Sequence, residues 1–135
     1  MIEKSKIDLS RYRFQDAEEK LESATILLRE KHFKDSLSRS YYAMFSAVRA
    51  LLALRGLDSR KHSGIISLFN QHFVKPQIIN ASYGRLLKKA QYSRERSDYG
   101  DYIIVTAEDA RKQAEEARVL IDEIKKVLTN EIGEF

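Results

Sequence analysis

Cysteine and tryptophan are absent from the chain, and its 135 residues include only one proline and five glycines. Without cysteine there is no disulfide, no thiolate metal site and no cysteine nucleophile. With so little proline and glycine, the sequence has few breaks and favours a small number of long helices. The N-terminal residues lack the apolar core of a signal peptide, and no apolar run approaches the ~20 residues that span a membrane. We therefore expect a cytoplasmic protein without membrane contact.

The residues that are present describe a soluble domain with well-solvated outer faces. Hydrophobic residues make up 43% of the chain and charged residues 33%. This length suits one domain with its own core, so residues 1–135 are predicted to form a single unit. The net charge of +4 is small, and acidic residues are interspersed among the basic ones. Such a balance is compatible with RNA binding but does not indicate it.

Apolar side chains recur at three- and four-residue steps in five segments, which predicts five helices. The predicted ranges are about 9–31, 34–55, 58–73, 79–96 and 106–128. The only strand-like segment, residues 102–105, is too short to form a sheet and has no partner strand. Short connections between long amphipathic helices predict an all-α, up-and-down antiparallel bundle of four long helices and one short helix.

Four residues are predicted to mark helix ends. Ser10 is a candidate N-cap for the first helix, and Gly56 supplies a stop for the second. Pro76 ends the third helix because proline has no N–H for a continuing helix. Thr106 is expected to cap the last helix by accepting a hydrogen bond from one of the N–H groups that follow it.

The segment 94–102 concentrates charged and phenolic side chains between two helical patterns. Arg94 and Asp98 are four residues apart, so one interpretation is an ordinary ion pair on a helix. The other interpretation is a site that binds phosphate or a partner chain through the forked donors of arginine. That second role requires the segment to lie in a cleft, most simply one completed by a second copy of the chain.

Two further groups are candidates for a site, each beside a plain structural reading. Tyr41 and Tyr42 point about 100° apart on one helix, so only one can occupy the core centre and the other should reach a polar partner at the flank. His62 follows Lys61 near the start of the third helix, where an anion could bind, although a surface histidine near a cap is the simpler reading. The three histidines share no spacing suited to a metal, so no metal and no cofactor are expected.

The order of these motifs resembles the HEPN family of small helical proteins, in particular a stand-alone prokaryotic branch. The resemblance rests on Ser-Arg-Ser-Tyr-Tyr-Ala-Met-Phe-Ser-Ala at 38–47, Lys-His-Ser-Gly at 61–64, and Arg94 followed by Asp98 and Tyr99. It covers roughly residues 10–128. It implies a helical bundle that is usually dimeric.

The resemblance also implies functions. Many HEPN proteins are metal-independent endoribonucleases with an arginine, four to six intervening residues and a histidine, in a cleft shared by two copies. Others pair with a small nucleotidyltransferase, and in some of these a tyrosine just after the histidine receives AMP. Arg94 or Arg96 matches the motif arginine, and Tyr99 or Tyr102 corresponds weakly to that tyrosine. No histidine occupies positions 99–103.

Three hypotheses follow from the resemblance and from this departure. The first is a weakly catalytic or non-catalytic HEPN protein that forms a homodimer and partners a nucleotidyltransferase in a toxin–antitoxin-like module. The second is an endoribonuclease with an unusual active site, and the third is a nucleotide- or RNA-binding bundle. The candidate binding residues are Arg39, Tyr42, Lys61, His62, Arg94, Arg96, Asp98, Tyr99 and Tyr102, of which Arg94 and Arg96 are also the catalytic candidates.

The prediction of a homodimer has a second basis in the second helix. Its apolar side chains, Tyr41, Tyr42, Phe45, Leu51, Leu52 and Leu54, extend well past half of its circumference. A helix that is apolar most of the way round must be buried on several sides. We expect that a small bundle cannot cover all of them, so that a second copy does so near residues 94–102.

Overall fold

The computed structural model describes residues 1–134 and contains five α-helices. Their bounds are α1 Lys4–Arg29, α2 Phe33–Leu54, α3 His62–Phe69, α4 Ala81–Tyr99 and α5 Ala107–Ile132. A π-helical turn, Asn70–Val74, continues α3. The described residues contain no strand. The predicted all-α class, with four long helices and one short helix, is therefore confirmed.

Helix α2 is the central element and contacts each of the other four helices. Tyr41, Leu51 and Leu52 on α2 are completely buried within the single chain. The expectation that one chain cannot cover the apolar faces of α2 is therefore wrong for Tyr41, Leu51, Leu52 and Leu54, whereas Tyr42 and Phe45 remain partly exposed. A homodimer remains a prediction, but it needs a different physical basis.

Helix α1 begins at Lys4, so the predicted N-cap role of Ser10 is wrong. Ser10 lies inside the helix, completely buried, and its hydroxyl donates a 2.8 Å hydrogen bond to the carbonyl oxygen of Ala50. Small side chains such as Ala17 and Ala47 let α1 and α2 approach closely. A serine at such a contact can donate its hydroxyl hydrogen bond to a carbonyl of the neighbouring helix. A sequence pattern does not reveal this contact.

Helices α3 and α4 begin later than predicted. Residues 58–61 are not helical, and within them the Asp58 carboxylate accepts from the Ser59 N–H at 2.9 Å. The side chain of Asn80 accepts from the Ser82 N–H at 2.9 Å and caps α4. Helix α4 then continues to Tyr99, three residues beyond the predicted end. This extension matters because it keeps the whole 94–99 segment helical.

Helix α5 begins with the predicted cap at Thr106. The Thr106 hydroxyl accepts from the Asp109 N–H at 3.1 Å, and the Asp109 carboxylate accepts from the Thr106 N–H at 3.1 Å. This reciprocal pair is a capping box. The hydrogen bonds from Thr106 also lower the pKa of the Asp109 carboxyl below its ordinary value.

Removal of this cap gives a first prediction. Thr106→Ala should lower the free energy of unfolding by about 1 kcal/mol, because the N–H of Asp109 loses its acceptor. Thr106→Ser keeps the hydroxyl and serves as the matched control, with a much smaller loss expected. Urea denaturation followed by circular dichroism measures both. An equal loss in the two variants would contradict a capping role.

Candidate functional site

Helices α2, α3 and α4 bring five polar and aromatic side chains together on one side of the bundle. We call this group the Arg94 cluster, and its members are Tyr41, Tyr42, His62, Arg94 and Asp98. The two tyrosines are adjacent on α2, His62 is the first residue of α3, and the other two lie one turn apart near the end of α4. The cluster therefore depends on the packing of three helices that are distant in sequence.

Arg94 lies at the centre of the cluster and is only 9% exposed. Its Nη1 donates to the Tyr42 hydroxyl at 3.3 Å and to the Asp98 carboxylate at 3.0 Å. The guanidinium carbon lies 5.3 Å from the ring centroid of Tyr41 and 5.5 Å from that of Tyr42. These distances fit cation–π contacts that hold the charge in a partly desolvated place.

The remaining donors of Arg94 are not used within the described residues. Its Nε is buried and has no hydrogen-bond partner there, and both of its hydrogen bonds run through Nη1. A buried donor without a partner is costly, so such groups call for an explanation. Its Nη2 is not buried and makes no hydrogen bond within the described residues, so this nitrogen can still bind an anion such as phosphate.

His62 is joined to the cluster through Tyr41. Its Nδ1 lies 2.9 Å from the Tyr41 hydroxyl, and its ring stacks on Phe45 with centroids 4.3 Å apart. Burial lowers the pKa of His62 below its ordinary value, and the positive charge of Arg94 lowers it further. Burial also raises the pKa of Tyr41. Both shifts favour the neutral imidazole and the protonated phenol.

The lowered pKa of His62 predicts how stability depends on pH. The unfolded chain binds this proton more tightly than the folded chain, so the contribution is present above the ordinary pKa of 6.5 and is lost as pH falls below it. Between pH 7.5 and 5.5 the wild type should lose more stability than His62→Gln. Urea midpoints at the two pH values measure this, and identical losses would contradict the argument.

The structure separates the residues proposed from the sequence into three groups. Tyr42, His62, Arg94 and Asp98 belong to the cluster. Arg39, one turn before Tyr42 on α2, and Lys61, directly before α3, are exposed. Arg96, Tyr99 and Tyr102 are also exposed, and no hydrogen bond, ion pair or ring contact joins them to the cluster.

Arg94 and Arg96 both match the motif arginine in the sequence, but the structure places their side chains on different sides of α4. Two residues apart on a helix correspond to about 200°, so their side chains leave α4 in different directions. Arg94 points toward α2, whereas Arg96 lines a cavity between α4 and α5. Of the two, only Arg94 shares a site with His62.

Tyr41 and Phe45 both contact His62, a contact that the sequence does not predict. Tyr41 is completely buried, and its hydroxyl is the link between α2 and α3. The ring of Phe45 supports the imidazole from one face. The expectation that one tyrosine is central and the other reaches a polar partner is confirmed, since Tyr42 accepts from Arg94. Sequence spacing alone offers no signal that His62 packs against these rings.

Two features of residues 1–134 bear on the class of site. No group of three or more His, Asp or Glu side chains within residues 1–134 is arranged to hold a metal ion. None of the helices in that part of the chain is long and apolar enough to cross a membrane.

Comparison with known proteins gives a consistent result. The family model for the HEPN domain matches residues 10–127. A protein of Methanocaldococcus jannaschii named "Putative toxin" is 38% identical over 83% of each chain. A UPF0332 protein of Thermotoga maritima is 34% identical over 95% of this chain and 96% of its own. A second Methanocaldococcus jannaschii protein named "Putative toxin" is 28% identical over 84% of this chain and 78% of its own. With the helical bundle and the Arg94 cluster, these matches show that the chain belongs to the HEPN family.

Proposed function

We propose that this chain is a toxin-type HEPN protein that binds the phosphate groups of RNA at the Arg94 cluster. The observation that carries the proposal is the guanidinium of Arg94, which is held at Nη1 by Tyr42 and Asp98 while its accessible Nη2 makes no hydrogen bond within the described residues. A phosphate oxygen is a suitable acceptor for that donor. Exposed Arg39 and Lys61 flank the cluster in sequence and supply charge for a strand that leaves it.

The same geometry favours binding over efficient cleavage. Cleavage of RNA by attack of a 2′-hydroxyl needs a general base and a general acid near the phosphate. No histidine occupies positions 99–103, and the raised pKa of Tyr41 makes its phenol a poor base at neutral pH. Asp98 already neutralises part of the charge on Arg94. We therefore propose a weakly catalytic or non-catalytic role.

The names of the relatives support a toxin–antitoxin-like setting for this activity. Within it we propose a homodimer that partners a small nucleotidyltransferase. The exposed phenols of Tyr99 and Tyr102 lie at the end of α4 and in the connection that follows, where a second copy of the chain can contact them. The test is co-expression with a nucleotidyltransferase encoded beside the gene, followed by co-purification through a tag on one protein. Failure to co-purify would contradict the partnership, whereas the proposal of RNA binding would stand or fall on its own test.

RNA binding is tested with variants of Arg94. Arg94→Ala should weaken binding of a fluorescein-labelled single-stranded RNA by about tenfold, the effect of losing roughly 1.4 kcal/mol of charge-assisted hydrogen bonding. Arg94→Lys keeps the positive charge but loses the forked N–H donors of the guanidinium, so we expect an intermediate affinity for RNA. Affinity should also fall as salt rises, with a shallower slope in Arg94→Ala.

Arg85→Ala is the matched control for charge, because Arg85 is an exposed arginine on the same helix outside the cluster. It should change affinity by less than about twofold. Circular dichroism and a thermal melt establish that each variant is folded. Equal losses in Arg94→Ala and Arg85→Ala would show nonspecific charge attraction and would contradict the proposed site.

A second function, metal-independent RNA cleavage, is favoured by the position of His62. Tyr41 joins this histidine to the cluster that contains Arg94, so a base from α3 can replace the one that is missing after α4. Nε2 can act as the base in the tautomer in which the Nδ1–H of His62 donates to the Tyr41 oxygen; when the Tyr41 hydroxyl donates to Nδ1, Nε2 carries the proton instead. Cleavage in the presence of EDTA that is lost in both Arg94→Ala and His62→Ala would establish this function over simple binding. No cleavage above that of the Arg94→Ala/Arg96→Ala variant would exclude it.

A further inference from the structure

A cavity of about 230 Å³ lies between α4, α5 and the connection that joins them. Leu37, Ile103 and Val105 contribute apolar surface to its wall. Lys89, Arg96 and Lys112 contribute cationic groups. Arg94 and His62 are not among its lining residues, so it is distinct from the Arg94 cluster.

The charged groups that line the cavity are three cations, Lys89, Arg96 and Lys112, and two carboxylates, Asp109 and Glu116, so one positive charge is in excess. Lys89 pairs with Glu116 at 3.1 Å, and the Asp109 carboxylate is held by the Thr106 N–H in the capping box. Within residues 1–134, Arg96 and Lys112 are therefore without a direct ion pair, although the charge of Arg96 also lowers the pKa of the Asp109 carboxyl.

The buried hydroxyl of Ser97 is a second, independent observation that points to a ligand in the cavity. Ser97 lines the same cavity and is only 3% exposed, yet its buried hydroxyl has no hydrogen-bond partner within the described residues. Gln113, which also lines the cavity, makes no hydrogen bond to Ser97: the Gln113 Nε2 donates to the Leu37 carbonyl at 2.6 Å and to the Ser40 hydroxyl at 2.9 Å. Buried hydroxyls normally form a hydrogen bond, and a ligand in the cavity could supply the acceptor that the Ser97 hydroxyl lacks.

We propose that this cavity binds a small amphipathic anion, with a phosphate or carboxylate group on Arg96 and Lys112 and an apolar body against Leu37, Ile103 and Val105. The combination of concave shape, apolar wall and a few convergent polar groups is that of a small-molecule site. The proposal does not rest on the function assigned to the Arg94 cluster. It gives Arg96 a role that differs from that of Arg94.

The test uses the full-length protein and three probes: phenyl phosphate, benzoate and inorganic phosphate. Titrations followed by ¹H–¹⁵N NMR should show saturable shifts of the Ser97, Ile103, Val105 and Gln113 amides with one or both of the aromatic anions. The phosphate and carboxylate arms identify the preferred head group. Inorganic phosphate should bind at least about tenfold more weakly than phenyl phosphate, since it lacks the apolar body.

The double variant Arg96→Ala/Lys112→Ala should weaken binding of the better aromatic anion by about tenfold or more, the effect of removing two charge contacts. Lys125→Ala/Lys126→Ala removes the same charge from the far end of α5 and should leave binding unchanged. Arg94→Ala should also leave it unchanged. Absence of saturable shifts in the wild type with both aromatic anions would overturn the proposal, as would equal losses in the two double variants or shifts that map to the Arg94 cluster.

Discussion

Leu51→Ala is expected to lower the free energy of unfolding by about 2–5 kcal/mol, the range for deletion of a fully buried leucine side chain. Leu51 is completely buried in α2, the helix that all the others surround. A cavity at that position removes packing contacts that several helices share. Because domains of this size are stable by only about 5–15 kcal/mol, the loss is a large fraction of the total.

Equilibrium denaturation in urea at 25 °C measures this loss, with the slope compared between proteins so that a change in the unfolded state is detected. Val119→Ala is the control, since it also shortens an aliphatic side chain but at a site on α5 that is 42% exposed. It should cost less than about 1 kcal/mol. A loss below about 1 kcal/mol for Leu51→Ala would contradict the central position of α2.

The second large effect concerns the oligomeric state. The exposed apolar side chains that matter are not on α2 but at the end of α4 and in the connection after it. Tyr92 is 68% exposed, Tyr99 79%, Ile104 83%, and Tyr102 is fully exposed. Such a concentration of exposed large apolar groups is typical of a protein interface. We therefore expect a two-fold dimer formed around this surface.

Light scattering at tens of micromolar protein should give twice the chain mass of 15.7 kDa. Tyr102→Asp/Ile104→Asp should reduce the mass to that of a single chain, because two carboxylates would be buried without partners at the interface. Tyr12→Asp, at a tyrosine of α1 that is 70% exposed, is the control and should remain dimeric. A monomeric wild type would contradict the prediction, and dissociation of Tyr12→Asp would place the interface elsewhere.

The dimer surface adjoins the Arg94 cluster in sequence, and this links the two predictions. Asp98 belongs to the cluster, and Tyr99 is the next residue on α4. If a second copy covers the exposed tyrosines, two Arg94 clusters approach one another and a bound RNA can contact both. RNA affinity measured on Tyr102→Asp/Ile104→Asp should then fall although Arg94 is intact, whereas Tyr12→Asp should bind as the wild type does.

What the sequence determined by itself is the helical architecture and its local signals. Periodic apolar residues established five helices, Gly56 ends α2 with a positive φ of 66°, and Thr106 caps α5 as predicted. The Arg94–Asp98 ion pair also follows from spacing on one helix. These features depend on residues within a few positions of each other, so a pattern is sufficient to reveal them.

Only the tertiary structure decided which distant residues meet. Ser10 forms a hydrogen bond between two helices and does not cap α1, because α1 packs closely on α2. His62 reaches the arginine site because α3 folds against Tyr41 and Phe45. Arg94 and Arg96, equivalent candidates in the sequence, face α2 and a separate cavity because α5 and α2 flank different sides of α4. Contacts of this kind join residues separated by many turns, and no spacing rule within one helix encodes them.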